Sequence, residues 1–271
     1  MTERAPGKVN LSLFVGAPRA DGLHPLVSVV QAVTLADELT LEPAGGAEDE
    51  VVCPGIEGPN LAAAALAAFR ARTGWDAPPQ RITIAKRIPV AGGMGGGSAD
   101  AAAVLRVAAR AAGGVDGAVL HELAATLGAD VPSLLTPGRV LMTGAGEHVE
   151  RLPDPEPFGL LVVPSDAELS TPAVYREFDA LGGARSPKEL EARAAAARAG
   201  EAPPPVNDLQ DAARSLCPAI DAVLDRVRAA GADITLVSGS GPTVFGVFAT
   251  PDAARAAAAG VPGAIAVEPA R

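Results

Sequence analysis

The chain has 271 residues, enough for one large domain or two smaller ones, and 48% of them are hydrophobic, ample for a core. A net charge of −10 argues against a nucleic-acid footprint and against a polybasic membrane face, both of which need clustered Lys and Arg. No apolar run is long enough to span a membrane, the N-terminus lacks the apolar stretch of a signal peptide, and the isolated Cys53 and Cys217 suggest no metal framework, so the expected setting is soluble, reducing and cytoplasmic.

From Val9 the apolar residues alternate through Leu11, Leu13 and Val15, which predicts a strand. Lys8, Asn10 and Ser12 share its other face. A lysine and an asparagine two residues apart can point into one site, yet on its own the segment reads as a solvated edge strand. After a turn at residues 19–22 come Leu23 and His24, then a strand from Val27 to Leu35 and a shorter one at residues 39–41. His24, His121 and His148 are the only histidines. Read singly, each is a structural or surface residue, His121 within a helix and His148 in a polar turn. Asn60 is suited to cap a helix over residues 61–72 that Gly74 ends.

Residues 81–90 carry apolar side chains at 82, 84, 88 and 90, which predicts one strand. Gly92-Gly93-Met94-Gly95-Gly96-Gly97-Ser98 follows, and from Ala99 an alanine-rich run predicts a helix to about residue 113. A strand, a glycine loop and a helix start together favour an anion. Glycine permits positive φ and close backbone approach. Successive N–H groups can converge into a nest, and the first helical turn adds unpaired N–H groups and a positive dipole end. A phosphate is the expected occupant, and a glycine-rich turn without a ligand is the alternative. No lysine follows as in a P-loop, and Ser98 stands where a dinucleotide fingerprint would place its third glycine.

A helix is predicted over residues 118–127. Asp130 then serves either as the N-cap of a short helix with Pro132 in its first turn or as a catalytic group. A strand and turn are predicted at residues 140–147, and the proline-rich residues 152–157 mark a boundary between two halves. Beyond it, a buried strand at 158–164, a helix from Thr171 to about Leu181 and a capping box opened by Ser186 are expected. Leu216, Ile220, Val223, Leu224 and Val227 share one face of a predicted amphipathic helix. A strand at 234–237 enters a second glycine turn, Ser238-Gly239-Ser240-Gly241-Pro242-Thr243. Another strand, a helix opened by Thr250-Pro251 and a last strand near 264–267 complete an α+β pattern.

Three segments in order, residues 6–11, 89–102 and 238–243, resemble the three motifs of the GHMP small-molecule kinases. Gly22-x-His24-x-Leu26, Asn60-Leu61, residues 127–132 and Thr171-Pro172 narrow the resemblance to the branch that acts on a cytidine-diphosphate-linked alcohol. The resemblance runs from residue 6 to about 250. It implies a two-domain GHMP kinase fold, with a ribosomal protein S5 domain 2-like, ATP-binding half over residues 1–153 and a ferredoxin-like half over 154–271.

The implied reaction moves the γ-phosphoryl of ATP to the 2-hydroxyl of 4-diphosphocytidyl-2-C-methyl-D-erythritol, a step in non-mevalonate isoprenoid precursor biosynthesis. The resemblance makes Lys8 and Asp130 the catalytic pair, with Asp130 as general base and Lys8 holding it ionised and neutralising the moving phosphoryl group. It assigns ATP to Pro89, Val90, Ala91, Gly92, Gly93, Met94, Gly95, Gly96, Gly97, Ser98 and Asn60, with Mg²⁺ bridging the phosphates and no protein metal ligand assigned. It assigns the alcohol substrate to Asn10, Leu23, His24, Thr171, Tyr175, Gly239 and Ser240, with His24 on the cytosine edge and Tyr175 stacked on the base. The small-molecule substrate is the expected partner, without nucleic acid or membrane, for a monomer or weak homodimer. Two departures stand out: Leu23 where the family commonly has tyrosine, and Ala99 where it often has a second serine. A GHMP kinase for homoserine or a mevalonate-type alcohol and a non-catalytic nucleotide-binding relative are the competing readings. The first lacks a use for His24 and residues 127–132, and the second would be expected to lose Lys8 or Asp130.

Overall fold

The computed structural model describes residues 1–270 apart from 57, 59, 91, 166 and 168. The chain forms two compact units that are interleaved in sequence. The first comprises Met1–Gly7, Leu35–Val90 and Gly95–Pro137, and the second Lys8–Thr34, Ala91–Met94 and Gly138–Arg271. Two long strands, β1 (Thr2–Val15) and β2 (Leu26–Pro43), pair with each other and contribute residues to both units.

In the first unit, the later part of β2 pairs antiparallel with β4 (Gln80–Ala85), and β3 (Glu50–Val52) adds parallel to β4. Ile82 and Ile84 alternate with Arg81 and Thr83, so one face of β4 is fully buried. The helices are α1 (Leu61–Thr73), α2 (Gly96–Ala111), α3 (Gly117–Leu127) and the single turn α4 (Val131–Leu134). α1 and α2 pack on each other. Ala62 and Ala65 of α1 and Ala99, Ala102 and Ala103 of α2 are all fully buried. Small side chains let two helices approach closely, and Phe69 and Leu105 fill the remaining volume. Here alanine supplies the core that the few aromatic residues do not.

In the second unit, β5 (Arg139–Thr143) lies between the early part of β2 and β6 (His148–Arg151). A separate antiparallel sheet has the order β10 (Ile265–Val267), β7 (Gly159–Val163), β9 (Val244–Phe248), β8 (Ile234–Val237). β7 is buried on both faces. Leu161, Val163, Val237, Val244 and Phe248 share a core with Val174 and Phe178 of α5 (Thr171–Leu181) and with Ile220, Leu224 and Val227. The unit also contains α6 (Pro187–Arg198), α7 (Gln210–Leu216), α8 (Ala219–Ala229) and α9 (Pro251–Ala258). α6 opens with the predicted capping box: Ser186 accepts from the Glu189 N–H, and Glu189 accepts in return from the Ser186 N–H.

Six local expectations are corrected. β1 is no solvated edge strand, because Lys8, Asn10 and Ser12 are all buried. β2 is one strand of 18 residues, not two. The apparent break at Asp37 is a fully buried carboxylate whose partners come from residues 86–88. β4 stops at Ala85 because the Arg87 and Ile88 N–H groups donate to Asp37 and leave the ladder, while Val90 is exposed. α2 starts at Gly96, inside the glycine loop. The amphipathic run splits into α7 and α8 because Pro218 cannot continue a helix, which leaves Leu216 exposed. His148 opens β6, paired with Thr143.

Candidate active site

The glycine stretch turns into α2 through Gly95, which caps the helix with φ +68° and no side chain. The Ala99 N–H is bonded to the Gly95 carbonyl, and no acidic residue fills the first turn. The N–H groups of the first turn have no intrahelical acceptor, which is the electrostatic basis of an anion site. The neighbouring glycines have different jobs. A Cβ at Gly97 would meet nothing within 4 Å among the described residues, so that face is open. A Cβ at Gly96 would stand 3.2 Å from Lys86 Nζ and Ile88 Cγ2.

Lys86 sits in an ion cluster under this helix start. Its Nζ donates to Asp37 Oδ2 and, at 2.8 Å, to Asp100 Oδ2. Asp37 Oδ1 accepts from the Arg87 and Ile88 N–H groups at 2.5 and 2.8 Å. Burial pulls the Lys86 ammonium down, but its two carboxylate partners outweigh this and leave it raised. Burial pushes Asp100 up to about 7; Lys86 opposes this and the Asp37 charge adds to it. Among the described residues Asp100 Oδ1 is buried with no hydrogen-bond partner, in keeping with a carboxylate that is costly to ionise. Cys53 lies in the same field, and burial pushes its thiol up.

A raised folded-state value fixes the sign of the pH dependence. Between the ordinary 3.8 and about 7 the folded protein holds a proton that the unfolded chain releases. That stabilisation is complete at low pH and is lost as pH rises through 7. Asp100→Asn is therefore expected to gain on the wild type as pH rises from 5 to 8, by about 3 °C or more in Tm. Parallel melting curves across that range would assign the dependence to other groups.

Asn60 Oδ1 accepts from the Ala62 N–H at 2.9 Å and so caps α1. Asp130 occupies the N-cap position of α4, half-buried, but its side chain makes no cap bond. Only its backbone carbonyl serves the helix start, accepting from Ser133 Oγ at 2.7 Å. Asp130 is thus the expected N-cap by position, with Pro132 in the first turn, but it contributes no side-chain cap bond. Of the other loop residues, Pro89 and Val90 precede the glycines in the first unit, and Ala91 lies outside the described residues.

The second unit carries a buried polar chain. Lys8 Nζ donates to Asn10 Oδ1 at 2.8 Å, Asn10 Nδ2 to Ser28 Oγ at 2.8 Å, and Ser28 Oγ to the Ser12 carbonyl at 2.7 Å. Lys8, Asn10, Ser12 and Ser28 are all at least nine-tenths buried. The Lys8 N–H donates to the Met94 carbonyl at 2.9 Å. Gly239, with φ +57°, packs against this chain: a Cβ there would stand 3.2 Å from Asn10 Oδ1 and 3.4 Å from Lys8 Nζ. Buried Asn207 donates to the carbonyls of Val237 and Gly239, both at 2.8 Å, and fixes the second glycine turn.

Gly92 is buried, and Gly93 is dictated by packing. Its φ is +69°, and a Cβ would lie 2.8 Å from the carbonyl oxygens of both Ser238 and Gly241. Gly93→Ala is expected to cost roughly 1–3 kcal/mol in strain alone, read as a lowered denaturant midpoint. An unchanged midpoint would show that the two turns separate easily.

His24 is buried beside Gly16 and α5. Its Nδ1 is 2.8 Å from the Gly16 carbonyl, which can only accept, so this nitrogen carries the proton. Its Nε2 lies 3.4 Å from Asp179 Oδ2, and its ring is 4.9 Å from that of Tyr175 at a tilt of 43°. Leu23 is exposed, and Thr171 Oγ1 is 2.9 Å from Ser240 Oγ. The structure thus groups Lys8, Asn10 and Gly239, and pairs His24 with Tyr175 and Thr171 with Ser240. Ser28, Asn207, Asp179 and the Asp37–Lys86–Asp100 cluster were missed in the sequence. Asp100 sits inside the glycine motif, and the break of alternation after residue 84 was a signal at Lys86.

The family model for the GHMP kinases N terminal domain matches residues 60–138, and that for the GHMP kinases C terminal domain matches 182–265. A protein named 4-diphosphocytidyl-2-C-methyl-D-erythritol kinase from Streptomyces avermitilis is 44% identical over 269 residues, covering 93% of this chain and 89% of that protein. One of the same name from Anaeromyxobacter sp. is 42% identical, covering 96% of this chain and 84% of its own length. A crystal structure of 4-(cytidine 5'-diphospho)-2C-methyl-D-erythritol kinase superposes with a TM-score of 0.81 at 36% identity, over 100% of both chains. A homoserine kinase from Cytophaga hutchinsonii, at 17% identity and TM-score 0.74 over 99% of this chain and 94% of its own, shares the fold. By identity sustained along nearly its full length, the chain belongs to the 4-diphosphocytidyl-2-C-methyl-D-erythritol kinase family of the GHMP kinases.

Proposed function

We propose that the protein phosphorylates the 2-hydroxyl of 4-diphosphocytidyl-2-C-methyl-D-erythritol with ATP, in the cytoplasm, as part of non-mevalonate isoprenoid precursor biosynthesis. The observation that carries the kinase reading is the start of α2, a helix terminus capped by Gly95 without a side-chain bond and with an open face at Gly97. The relatives support the choice of alcohol. Residues 1–153 form the ATP-binding half of this reading and 154–271 the second half; the two family matches fall on either side of that boundary. The enzyme works as a monomer or weak homodimer.

ATP supplies the activated phosphoryl group, and Mg²⁺ enters with its phosphate oxygens. The chain supplies binding, orientation and charge. The N–H groups from Gly95 to Ser98 hold the phosphates, and residues 89–94 and Asn60 complete the nucleotide site. Asp130 accepts the proton of the attacking 2-hydroxyl. Lys8 neutralises charge that develops on the transferred group, and Asn10, which accepts from Lys8, fixes its direction. His24 meets the cytosine edge through Nε2, which without the nucleotide stands 3.4 Å from Asp179 Oδ2, while Nδ1 stays committed to Gly16, and Tyr175 stacks on the base. Leu23 adds apolar contact without a π-face. Thr171, Gly239 and Ser240 contact the diphosphate-linked alcohol.

The test is ADP release with Mg²⁺-ATP, offering the cytidyl alcohol, homoserine and mevalonate in parallel. Turnover with the cytidyl alcohol alone is expected. Turnover with only one of the others would keep the phosphoryl chemistry and reassign His24 to a structural role. ATP binding without turnover of any alcohol would leave a nucleotide-binding relative.

A further inference from the structure

Both ends of the glycine loop are tied to one buried ion cluster in the first unit. On the entry side, Asp37 takes the N–H groups of Arg87 and Ile88 through Oδ1. Its Oδ2 takes the ammonium of Lys86. On the exit side, Asp100, the fifth residue of α2, takes the same ammonium at 2.8 Å. Asp37 is fully buried, and the Lys86 and Asp100 side chains are 14% and 4% exposed. The ammonium passes beneath the first residue of α2, since a Cβ at Gly96 would lie 3.2 Å from it. One ammonium shared by two buried carboxyl groups makes a stiff joint, because any displacement leaves a buried polar group without its partner.

We propose that Lys86, clamped between Asp37 and Asp100, is a positioning residue that presets the glycine loop and the α2 terminus for the ATP phosphates. The inference rests on the kinase reading and deepens it. Lys86 directs its ammonium to the two carboxylates, so its contribution is made through the backbone it holds. A loop fixed before binding loses less freedom when the nucleotide arrives, and the gain appears as ATP affinity. Asp100 Oδ1 is buried and, among the described residues, unpartnered, a cost that packing alone does not explain.

The discriminating variant is Asp100→Ala in the full-length protein. It removes the exit tether together with the unpartnered oxygen, and leaves Lys86 paired with Asp37. Its melting temperature is expected to match or exceed that of the wild type at pH 8, while its Kd for ATP by calorimetry rises roughly tenfold. KM for ATP should rise in parallel, with KM for the cytidyl alcohol within about twofold. Lys86→Arg, which keeps the charge and adds donors, should retain ATP affinity within about threefold. Should Asp100→Ala not fold, Asp100→Asn keeps the shape and is expected to weaken ATP binding several-fold. A folded Asp100 variant that binds ATP like the wild type would overturn the inference and leave the kinase reading intact. A wild-type protein that binds no ATP would overturn both.

Discussion

Asp130→Asn is expected to lower turnover by roughly two to four powers of ten while ATP affinity stays within about twofold. The carboxamide keeps size and polarity but cannot take a proton from the substrate hydroxyl. Asp130 stands at the start of α4 without a side-chain cap bond, so the helix does not depend on its carboxylate. The bond that the terminus does receive, from Ser133 Oγ, ends on the backbone carbonyl and survives the change. Melting temperature should therefore move by no more than about 2 °C. Steady-state ADP release and calorimetric ATP titration read the two halves of the prediction. Near-normal turnover would remove Asp130 from the role of base, and a large loss of stability would return it to a structural one.

Lys8→Met should lower kcat by roughly two to three powers of ten, with a smaller effect on ATP affinity. Methionine fills a similar volume and deletes the charge that is proposed to stabilise the transferring phosphoryl group. Lys8 is buried, so its charge acts where water screens it poorly. The Asn10 Oδ1 acceptor would lose its lysine donor, at about 1–3 kcal/mol. Relief from burying an ammonium opposes that loss. The rest of the chain, Asn10 to Ser28 to the Ser12 carbonyl, stays in place. Stability and kcat should therefore separate clearly. Loss of stability that matches the loss of rate would mean that the lysine serves the fold.

Much of the site was legible because its signals are local. A glycine loop before an alanine-rich run announces a helix start that can face an anion, and Asn60, Gly74 and the Ser186 capping box act within a few residues. The positions of β7, β8 and β9 followed from short apolar runs. The polar face of β1 was misjudged because alternation distinguishes two faces without saying what covers each. Lys8, Asn10 and Ser12 look solvated until Ser28, Gly239 and the Met94 carbonyl are placed against them. Asp37 read as a break in β2 for the same reason: a carboxylate in a buried strand needs donors, and these come from residues about fifty positions later.

By itself the sequence determined the α+β character, the anion-binding potential of residues 92–98 and, by resemblance, the kinase family. These depend on backbone propensity and on motif order, both carried by neighbours in the chain. Only the tertiary structure decided that β1 and β2 serve both compact units, and that Gly93 exists for packing while the face at Gly97 stays open. It alone gathered Asp37, Lys86 and Asp100 into one ion cluster. The physical reason is that burial and ion pairing are set by what arrives from far along the chain, and one-dimensional spacing carries no record of that arrival.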